Sequence, residues 1–218
     1  MNKDVSIVIP AYKNDESLPL LLKCIKNQKF PPKTVIIVNS KLKENLNLNL
    51  NSQELKFELK IINIDPAFPG KARNYGIDIT KTNFIAFLDC KTFPKQKWLS
   101  TSLEYLIKNK KEAIIGSRST QSTNQFSELI KALTYGNNIV TSLSGTLLYT
   151  KIARENLFDN KIRAGEDLIW IEKISKKFKT FYQTKDLLVY NNLPTNFKTF
   201  IFKWFVYSQH NSNITELL

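Results

Sequence analysis

The stretch TNFIAFLDCKTFPKQKWL, residues 82–99, constrains the fold of this chain more than any other part of the sequence. A short apolar run at 84–88 is bounded by polar residues, a pattern that predicts a buried strand. The strand ends on Asp89, Pro94 interrupts the backbone, and a helical pattern begins near Trp98. In open α/β sheets, ligands bind beyond the carboxyl ends of the strands. Asp89 is therefore a candidate site residue, with the capping of a turn as the alternative role.

Length and composition favour one globular domain. A chain of 218 residues with 42% hydrophobic and 23% charged residues is long enough for a full core. No apolar run approaches the ~18 residues that span a bilayer, and the run at 5–10 is too short for the core of a secretory signal. The two cysteines, Cys24 and Cys90, have neither disulfide nor zinc spacing. We therefore expect a cytoplasmic protein, with association to the inner face of the membrane left open.

The charge balance favours anionic partners. The formal net charge is +13, which suits an acidic membrane surface or a phosphorylated ligand. The lysines are spread along the chain without a dense block, so no nucleic-acid partner is expected. A plain solvated surface remains the simplest interpretation of most of these charges.

Periodicity along the chain predicts strands that alternate with helices. The asparagine-rich segment 44–53 is interpreted as an exposed loop, with an edge strand as the alternative. Strands are predicted at 5–10, 34–38, 59–64, 84–88, 113–116, 144–149, 181–183 and 187–190, and helices near 18–25, 72–79, 98–106, 126–133, 166–178 and 195–208, with a short helix from residue 151. The pattern predicts a single α/β domain with a mostly parallel central sheet flanked by helices.

Two predicted helices begin with charged residues. Lys71, Arg73 and Asn74 stand in the first turn of one helix, where unpaired amides and two cations suit an anion. Glu166 and Asp167 open another helix, where acids also favour the macrodipole. A solvated basic helix end and a simple helix cap are the alternatives to a functional site at the two positions.

The last predicted helix, 195–208, is rich in aromatic residues. Phe197, Ile201, Trp204 and Phe205 form a stripe, while Phe202 lies off it. A domain core needs only the stripe, so the excess apolar surface suggests contact with a bilayer interface, a protein partner or another chain segment. Packing of the stripe into the core is the alternative.

Four strings in order resemble the family-2 glycosyltransferases, which have the GT-A fold. They are SIVIPAYKN, PGKARNYGI, FIAFLDCKTFPKQKWL and AGEDLIWIEKI, and the resemblance runs from about residue 5 to residue 190. It implies a GT-A-type domain at 1–192, with a nucleotide-sugar half at 1–110 and an acceptor half at 111–192. A C-terminal amphipathic helix or tail follows at 193–218.

The resemblance also implies roles for individual residues. An acceptor hydroxyl attacks the sugar of a nucleotide-diphosphate donor with inversion, Asp167 serves as the base and Glu166 orients it. We expect Asp89 and Asp167 to line opposite walls of one cleft. The donor-binding residues implied by the matching positions are Pro10, Tyr12, Asn39, Lys71, Arg73, Asn74, Asp89 and Lys91.

The chain departs from the family pattern at three places, all on the donor side. Asn39 replaces an aspartate that reads the base, and Lys91 replaces the second carboxylate of the Asp-x-Asp motif. Tyr190-Asn191-Asn192 stand where a metal-supporting histidine often follows the last strand. The degenerate motif therefore assigns no metal residue, with Asp89 as a ligand only if a divalent ion such as Mn²⁺ or Mg²⁺ is bound.

Two functions agree with these departures. The first is a metal-independent hexosyltransferase that builds a polysaccharide or lipid-linked glycan of the cell envelope at the membrane surface, with Lys91 supplying positive charge. The second is an inactive domain that binds sugar or nucleotide and partners an active transferase. A nucleotidyltransferase ranks last, because PAYKND is not a glycine-rich phosphate loop. The sugar, base, acceptor and linkage stay open.

Overall fold

The computed structural model describes residues 3–12, 16–40 and 55–215, so the segment 44–53 lies outside the described residues. Within these ranges the chain forms nine strands and seven helices. The strands are β1 (Val5–Ala11), β2 (Thr34–Asn39), β3 (Glu58–Asn63), β4 (Phe84–Phe87), β5 (Thr92–Pro94), β6 (Ala113–Thr120), β7 (Val140–Tyr149), β8 (Thr180–Tyr182) and β9 (Leu188–Tyr190). The helices are α1 (Leu18–Lys26), α2 (Pro69–Ile79), α3 (Trp98–Lys108), α4 (Gln125–Thr134), α5 (Thr150–Glu155), α6 (Glu166–Lys177) and α7 (Phe197–Thr215).

The strands form one mixed sheet in the order β3-β2-β1-β4-β7-β6-β9-β5, with β8 also pairing with β6. Five of the eight pairs are parallel and three are antiparallel. The parallel half, β3-β2-β1-β4, brings the carboxyl ends of four strands to one edge of the sheet. The prediction of an α/β domain with a mostly parallel sheet is confirmed.

Two apolar layers cover the two faces of this sheet. Strands β2 and β4 are buried along their whole length, as expected for parallel strands with helices on both faces. In β1, Ile7 and Ile9 point into the layer formed with α1 and α3, whereas Val8 points into the layer formed with α2, α5 and α6.

A close approach fixes α2 against the sheet. Pro69 begins the helix, where its missing N–H has no intrahelical partner to lose. A Cβ added to Gly76 would lie 2.3 Å from Cγ1 of Val8, so only glycine lets α2 pack this tightly on β1. The packing holds the first turn of α2 at the carboxyl edge of the parallel strands.

Three strands differ from their predicted extents. The three-residue strand β5 was not predicted, because so short a segment ending in Pro94 has no measurable alternation. It pairs antiparallel with β9. Strands β6 and β7 are longer than predicted, since their polar halves, rich in serine and threonine, carry no apolar signal.

The aromatic-rich C-terminal helix is also confirmed, as α7. Five of its described apolar side chains are exposed rather than packed into the core, among them Phe197 (67% exposed), Phe202 (66%) and Trp204 (61%). Across the described residues, none of the helices combines the length and the apolar character needed to cross a bilayer.

Candidate active site

A cleft of about 670 Å³ opens at the carboxyl edge of the parallel strands. The end of β1, the start of α2 and Asp89, two residues after β4, contribute to its walls. Five residues of the sequence-predicted donor site line it: Pro10, Tyr12, Lys71, Arg73 and Asp89. The sheet topology thus brings together residues from three separate motifs of the sequence.

Arg73 is the centre of the charged cluster beside this cleft. Its side chain is only 6% exposed, and its Nη1 donates to Oε1 of Glu166 at 2.6 Å. Its Nη2 donates to Oδ1 of Asp89 at 2.9 Å. The guanidinium therefore joins the start of α2, the end of β4 and the start of α6 through charge-assisted hydrogen bonds.

The electrostatics of this cluster reflect one buried cation among several acids. Burial raises the pKa of Glu166; Arg73 opposes that rise and Asp167 adds to it. Burial also raises the pKa of Asp167, with Arg73 opposing and Asp89 adding. Burial alone lowers the pKa of Arg73, but Asp89 and Glu166 outweigh it, so its pKa is raised overall and the guanidinium stays charged.

The start of α6 holds the two acids in place. Gly165 precedes the helix with φ of 89°, a left-handed conformation that glycine adopts without strain. Glu166 and Asp167 form the first turn, where the macrodipole favours negative charge. Trp170, one turn later, stacks on Phe158 with ring centroids 4.6 Å apart and anchors the helix in the core.

Asp89 lines the cleft, whereas Glu166 and Asp167 are not among the described residues that line it. Asp167 lies in the same electrostatic neighbourhood, since Asp89 and Arg73 both act on its pKa. The structure therefore brings the three acids together around Arg73, with Asp89 on the cleft and Asp167 beside it.

Asn74 fastens a loop on the far side of the cleft. Its Nδ2 donates to the carbonyl oxygen of Phe158 at 2.9 Å, and the N–H of Phe158 donates to its Oδ1 at 2.9 Å. A further bond of 2.8 Å joins its Nδ2 to Oδ1 of Asn160. Asn74 thus holds the loop that carries Asn160 and Arg163 to the cleft wall.

The two remaining predicted residues lie outside the cleft lining. Asn39 is buried and donates from Nδ2 to Oδ1 of Asn63 at 2.8 Å, while its neighbour Ser40 lines the cleft. Lys91 donates from Nζ to Oδ1 of Asn192 at 3.2 Å. Two of the positions that depart from the family pattern are therefore in contact with each other.

Sequence reasoning missed three polar residues of the cleft: Ser40, Asn160 and Arg163. Arg163 had a usable signal, because it is a cation in the loop directly before the acidic pair. Asn160 had none, since its contact with Asn74 joins residues far apart in the chain. Ser40 follows β2, so the carboxyl-edge rule could have included it.

Comparison with known proteins gives the family. Residues 6–163 match the model of glycosyl transferase family 2. The chain is 32% identical over 123 residues to a chondroitin synthase of Pasteurella multocida (strain Pm70), a match that covers 54% of this chain and 13% of that protein. It is 31% identical over 128 residues to a chondroitin synthase of Escherichia coli, covering 57% of this chain and 19% of that protein. The chain therefore corresponds to a small part of these relatives.

Solved structures share the fold. S. aureus TarS 1-349 in complex with UDP-GlcNAc aligns with a TM-score of 0.69 at 14% identity, over 88% of this chain and 60% of that one. The mannosyltransferase PcManGT from Pyrobaculum calidifontis, in complex with GDP-Man and Mn²⁺, aligns with a TM-score of 0.63 at 13% identity, over 88% of this chain and 58% of that one. With a family model that covers most of its length and this shared fold, the chain belongs to glycosyl transferase family 2 and has the GT-A fold.

Proposed function

We propose that this chain transfers a sugar from a nucleotide-diphosphate donor to a hydroxyl group of a glycan or lipid-linked acceptor, with inversion at the anomeric carbon. The observation that carries the proposal is the pairing of Asp89 and Glu166 with the single guanidinium of Arg73 beside the cleft, with Asp167 next to Glu166 in the first turn of α6. Removing an arginine and its paired carboxylates from water is energetically unfavourable, and buried charge clusters of this kind are typical of catalytic sites.

The cleft suits the donor. Its wall carries Lys71 and Arg163, two cations that can neutralise phosphate oxygens, and the apolar residues Pro10 and Tyr12, which offer surface for a base. The neighbours TarS and PcManGT were solved with UDP-GlcNAc and GDP-Man. These complexes support a nucleotide sugar in the corresponding cleft here.

Asp167 is the proposed base. The acceptor oxygen forms a bond to the anomeric carbon, the bond from that carbon to the diphosphate oxygen breaks, and the hydroxyl proton passes to the Asp167 carboxylate. The nucleoside diphosphate leaves with the bonding electrons. Burial raises the pKa of Asp167, which makes its carboxylate a stronger base than a solvated one.

Glu166 and Arg73 are proposed as positioning residues. The ion pair between them, with Nη1 and Oε1 2.6 Å apart, fixes the first turn of α6 and so the position of Asp167. Asp89 receives the other arm of the same guanidinium, which ties the donor strand β4 to α6.

The product is proposed to be a polysaccharide or lipid-linked glycan of the cell envelope. The matched relatives are named chondroitin and hyaluronan synthases. The exposed aromatic side chains of α7 and the net charge of +13 support work at a membrane surface or with a protein partner.

A panel of nucleotide sugars tests the activity, with release of nucleoside diphosphate as the measurement. We expect Asp167→Asn to lose about 100-fold or more in turnover while still binding donor, because only the proton acceptor is removed. Glu172→Gln, on the same helix but paired with Lys176 at the surface, is the matched control and should keep full activity. Unchanged turnover in Asp167→Asn would contradict the assignment.

One observation favours a second function, a domain that binds donor without turnover. Lys91 occupies the position of a motif carboxylate and contacts Asn192. Binding of nucleotide sugars, detected by thermal shift, with no release or transfer by the wild type across the panel would select this alternative.

A further inference from the structure

A second cluster of charge lies around the segment that follows β9. Lys91 donates to the side-chain oxygen of Asn192 at 3.2 Å, and Nζ of Lys203 donates to the main-chain oxygen of the same residue. The guanidinium of Arg118 stacks on the ring of Tyr190, with its carbon 3.9 Å from the ring centroid. Three cations, from the loop before β5, from β6 and from α7, thus contact the short segment from Tyr190 to Asn192.

These cations have no acidic partner. In the part of the chain that the structure describes, none of the three forms an ion pair with a carboxylate. Nη1 of Arg118 is buried and has no hydrogen-bond partner. A buried donor without an acceptor is costly and uncommon in folded proteins, so this atom points to a missing anion.

The cations also act on each other. Burial, together with the charges of Lys91 and Arg118, lowers the pKa of Lys203 to about 8. Such mutual repulsion is unfavourable unless an anionic ligand relieves it. The cluster is therefore an electrostatically strained arrangement of like charges.

A divalent ion does not fit these residues. Family members use such an ion to offset the charge of the departing diphosphate. Here no group of three or more His, Cys, Asp or Glu side chains among the described residues could hold one. Asp89, the remaining motif carboxylate, is already paired with Arg73 at 2.9 Å. Lys91, a cation, stands at the position of the second carboxylate of the motif.

We propose that Lys91, Arg118 and Lys203 bind the diphosphate of the donor directly and replace the divalent ion. Lys91 lies outside the cleft lining but follows Asp89, which lines the cleft, by two residues, and we infer that the diphosphate reaches from the cleft to the cluster. Fixed ammonium and guanidinium groups supply positive charge where the leaving group gains negative charge. The assignment rests on the proposed function for the identity of the ligand, and it makes the helix α7 part of the donor site.

Calorimetric binding of inorganic pyrophosphate to the full chain, in buffer with EDTA, tests the site without requiring turnover. We expect the wild type to bind in the absence of metal. Lys91→Gln and Lys203→Gln should each weaken binding about tenfold or more, the loss expected for one hydrogen bond to a charged group. Lys203→Arg, which keeps the charge, should retain most of the affinity.

Lys198→Gln is the matched control, because Lys198 is an exposed lysine of the same helix with the same charge. It should leave pyrophosphate binding unchanged. Circular dichroism and the unfolding temperature identify any variant that loses its fold; if Lys203→Gln does, Lys91→Gln carries the test, with Lys203→Arg as its charge-preserving counterpart. Arg118→Gln is measured last, since its stacking on Tyr190 also stabilises the strand edge.

Three results would overturn the proposal: binding that requires added Mn²⁺, equal loss in Lys198→Gln, or loss confined to Lys71→Gln in the cleft wall. The proposed function fails separately, through absent transfer or an active Asp167→Asn. Pyrophosphate binding by the cluster in a chain without turnover would support the cation site and select the donor-binding alternative.

Discussion

The two charged clusters of this chain have opposite compositions. Around Arg73, one buried cation is paired with two acids from separate elements, Asp89 and Glu166, and its Nε has no hydrogen-bond partner. Around Asn192, three cations meet with no acid, and one guanidinium nitrogen is left without a partner. The cation of the first cluster is balanced by carboxylates of the chain itself, whereas the charges of the second cluster are balanced only when an anion binds. We infer that the first organises the site and the second recognises the substrate.

The largest expected effect comes from Arg73→Met. Removing the guanidinium leaves Glu166 as an uncompensated buried charge, which should cost about 3–5 kcal/mol of unfolding free energy in urea at pH 7. Arg163→Gln, at the exposed wall of the cleft, should change stability by less than about 0.5 kcal/mol. If Arg73→Met is as stable as the wild type, the first cluster does not organise the fold.

A double variant sharpens this prediction. Arg73→Met combined with Glu166→Leu removes both buried charges, and we expect it to recover much of the lost stability. No recovery would mean that the arginine acts through packing on Phe158, where its guanidinium carbon lies 5.5 Å from the ring centroid, rather than through charge.

The second cluster predicts that the stability of the fold rises with pH. A lysine in an ion pair has a raised pKa and makes stability fall with rising pH, whereas the pKa of Lys203 is lowered. The pKa of Lys203 is lowered to about 8 in the folded chain and is near 10.5 when unfolded. Between these values the unfolded state binds more protons, so stability should rise with pH in this window. The unfolding temperature of the wild type, relative to Lys203→Gln, should therefore increase from pH 8 to pH 10.5. Lys91 and Arg118 are the charged groups that act on Lys203, and bound pyrophosphate should reduce the effect.

The first cluster predicts the reverse trend at acid pH. The pKa of Glu166 is raised above its usual value of 4.5, so the folded state binds more protons than the unfolded state just above that pH. Stability of the wild type relative to Glu166→Gln should fall as pH rises from about 4.5 toward the folded-state pKa. A difference that does not vary with pH in this window would show that Glu166 is not destabilised by burial.

The smallest effect is expected for Lys91→Asp. The substitution restores a motif carboxylate near Asp89 and removes one cation of the second cluster. We expect pyrophosphate binding to become weaker in EDTA and to improve severalfold with Mn²⁺, because two carboxylates now attract a divalent ion. Lys91→Gln is the control and should show no such metal response.

The parallel half of the fold, and the meeting of Asp89 with the start of α2 at one site, could be predicted from the sequence for identifiable reasons. Buried parallel strands are continuous apolar runs, and the residues that follow them meet at one edge. That geometry allowed Asp89 and the helix start at residues 71–74 to be placed on one site. It did not reveal that Arg73 is buried between acids, since this depends on the packing of α6 against α2.

The second cluster had no sequence signal of its own. Lys91 was noticed only because it departs from a motif. Lys203 is one of 32 lysine and arginine residues, and Arg118 lies in the polar half of a strand. Their meeting depends on the pairing of β9 with β6 and on the course of α7, which are long-range features that local patterns do not encode.

The attachment of the 158–163 loop has a consequence for engineering. Asn74 holds residue 158 through its main-chain N–H and carbonyl oxygen, which every amino acid except proline provides. The side chains at 159–163 can therefore be exchanged for those of another transferase while the main-chain anchor and Phe158, which stacks on Trp170, are kept. Libraries that vary residues 159–163 and retain Asn74 offer a direct route to new substrate selectivity on an unchanged scaffold.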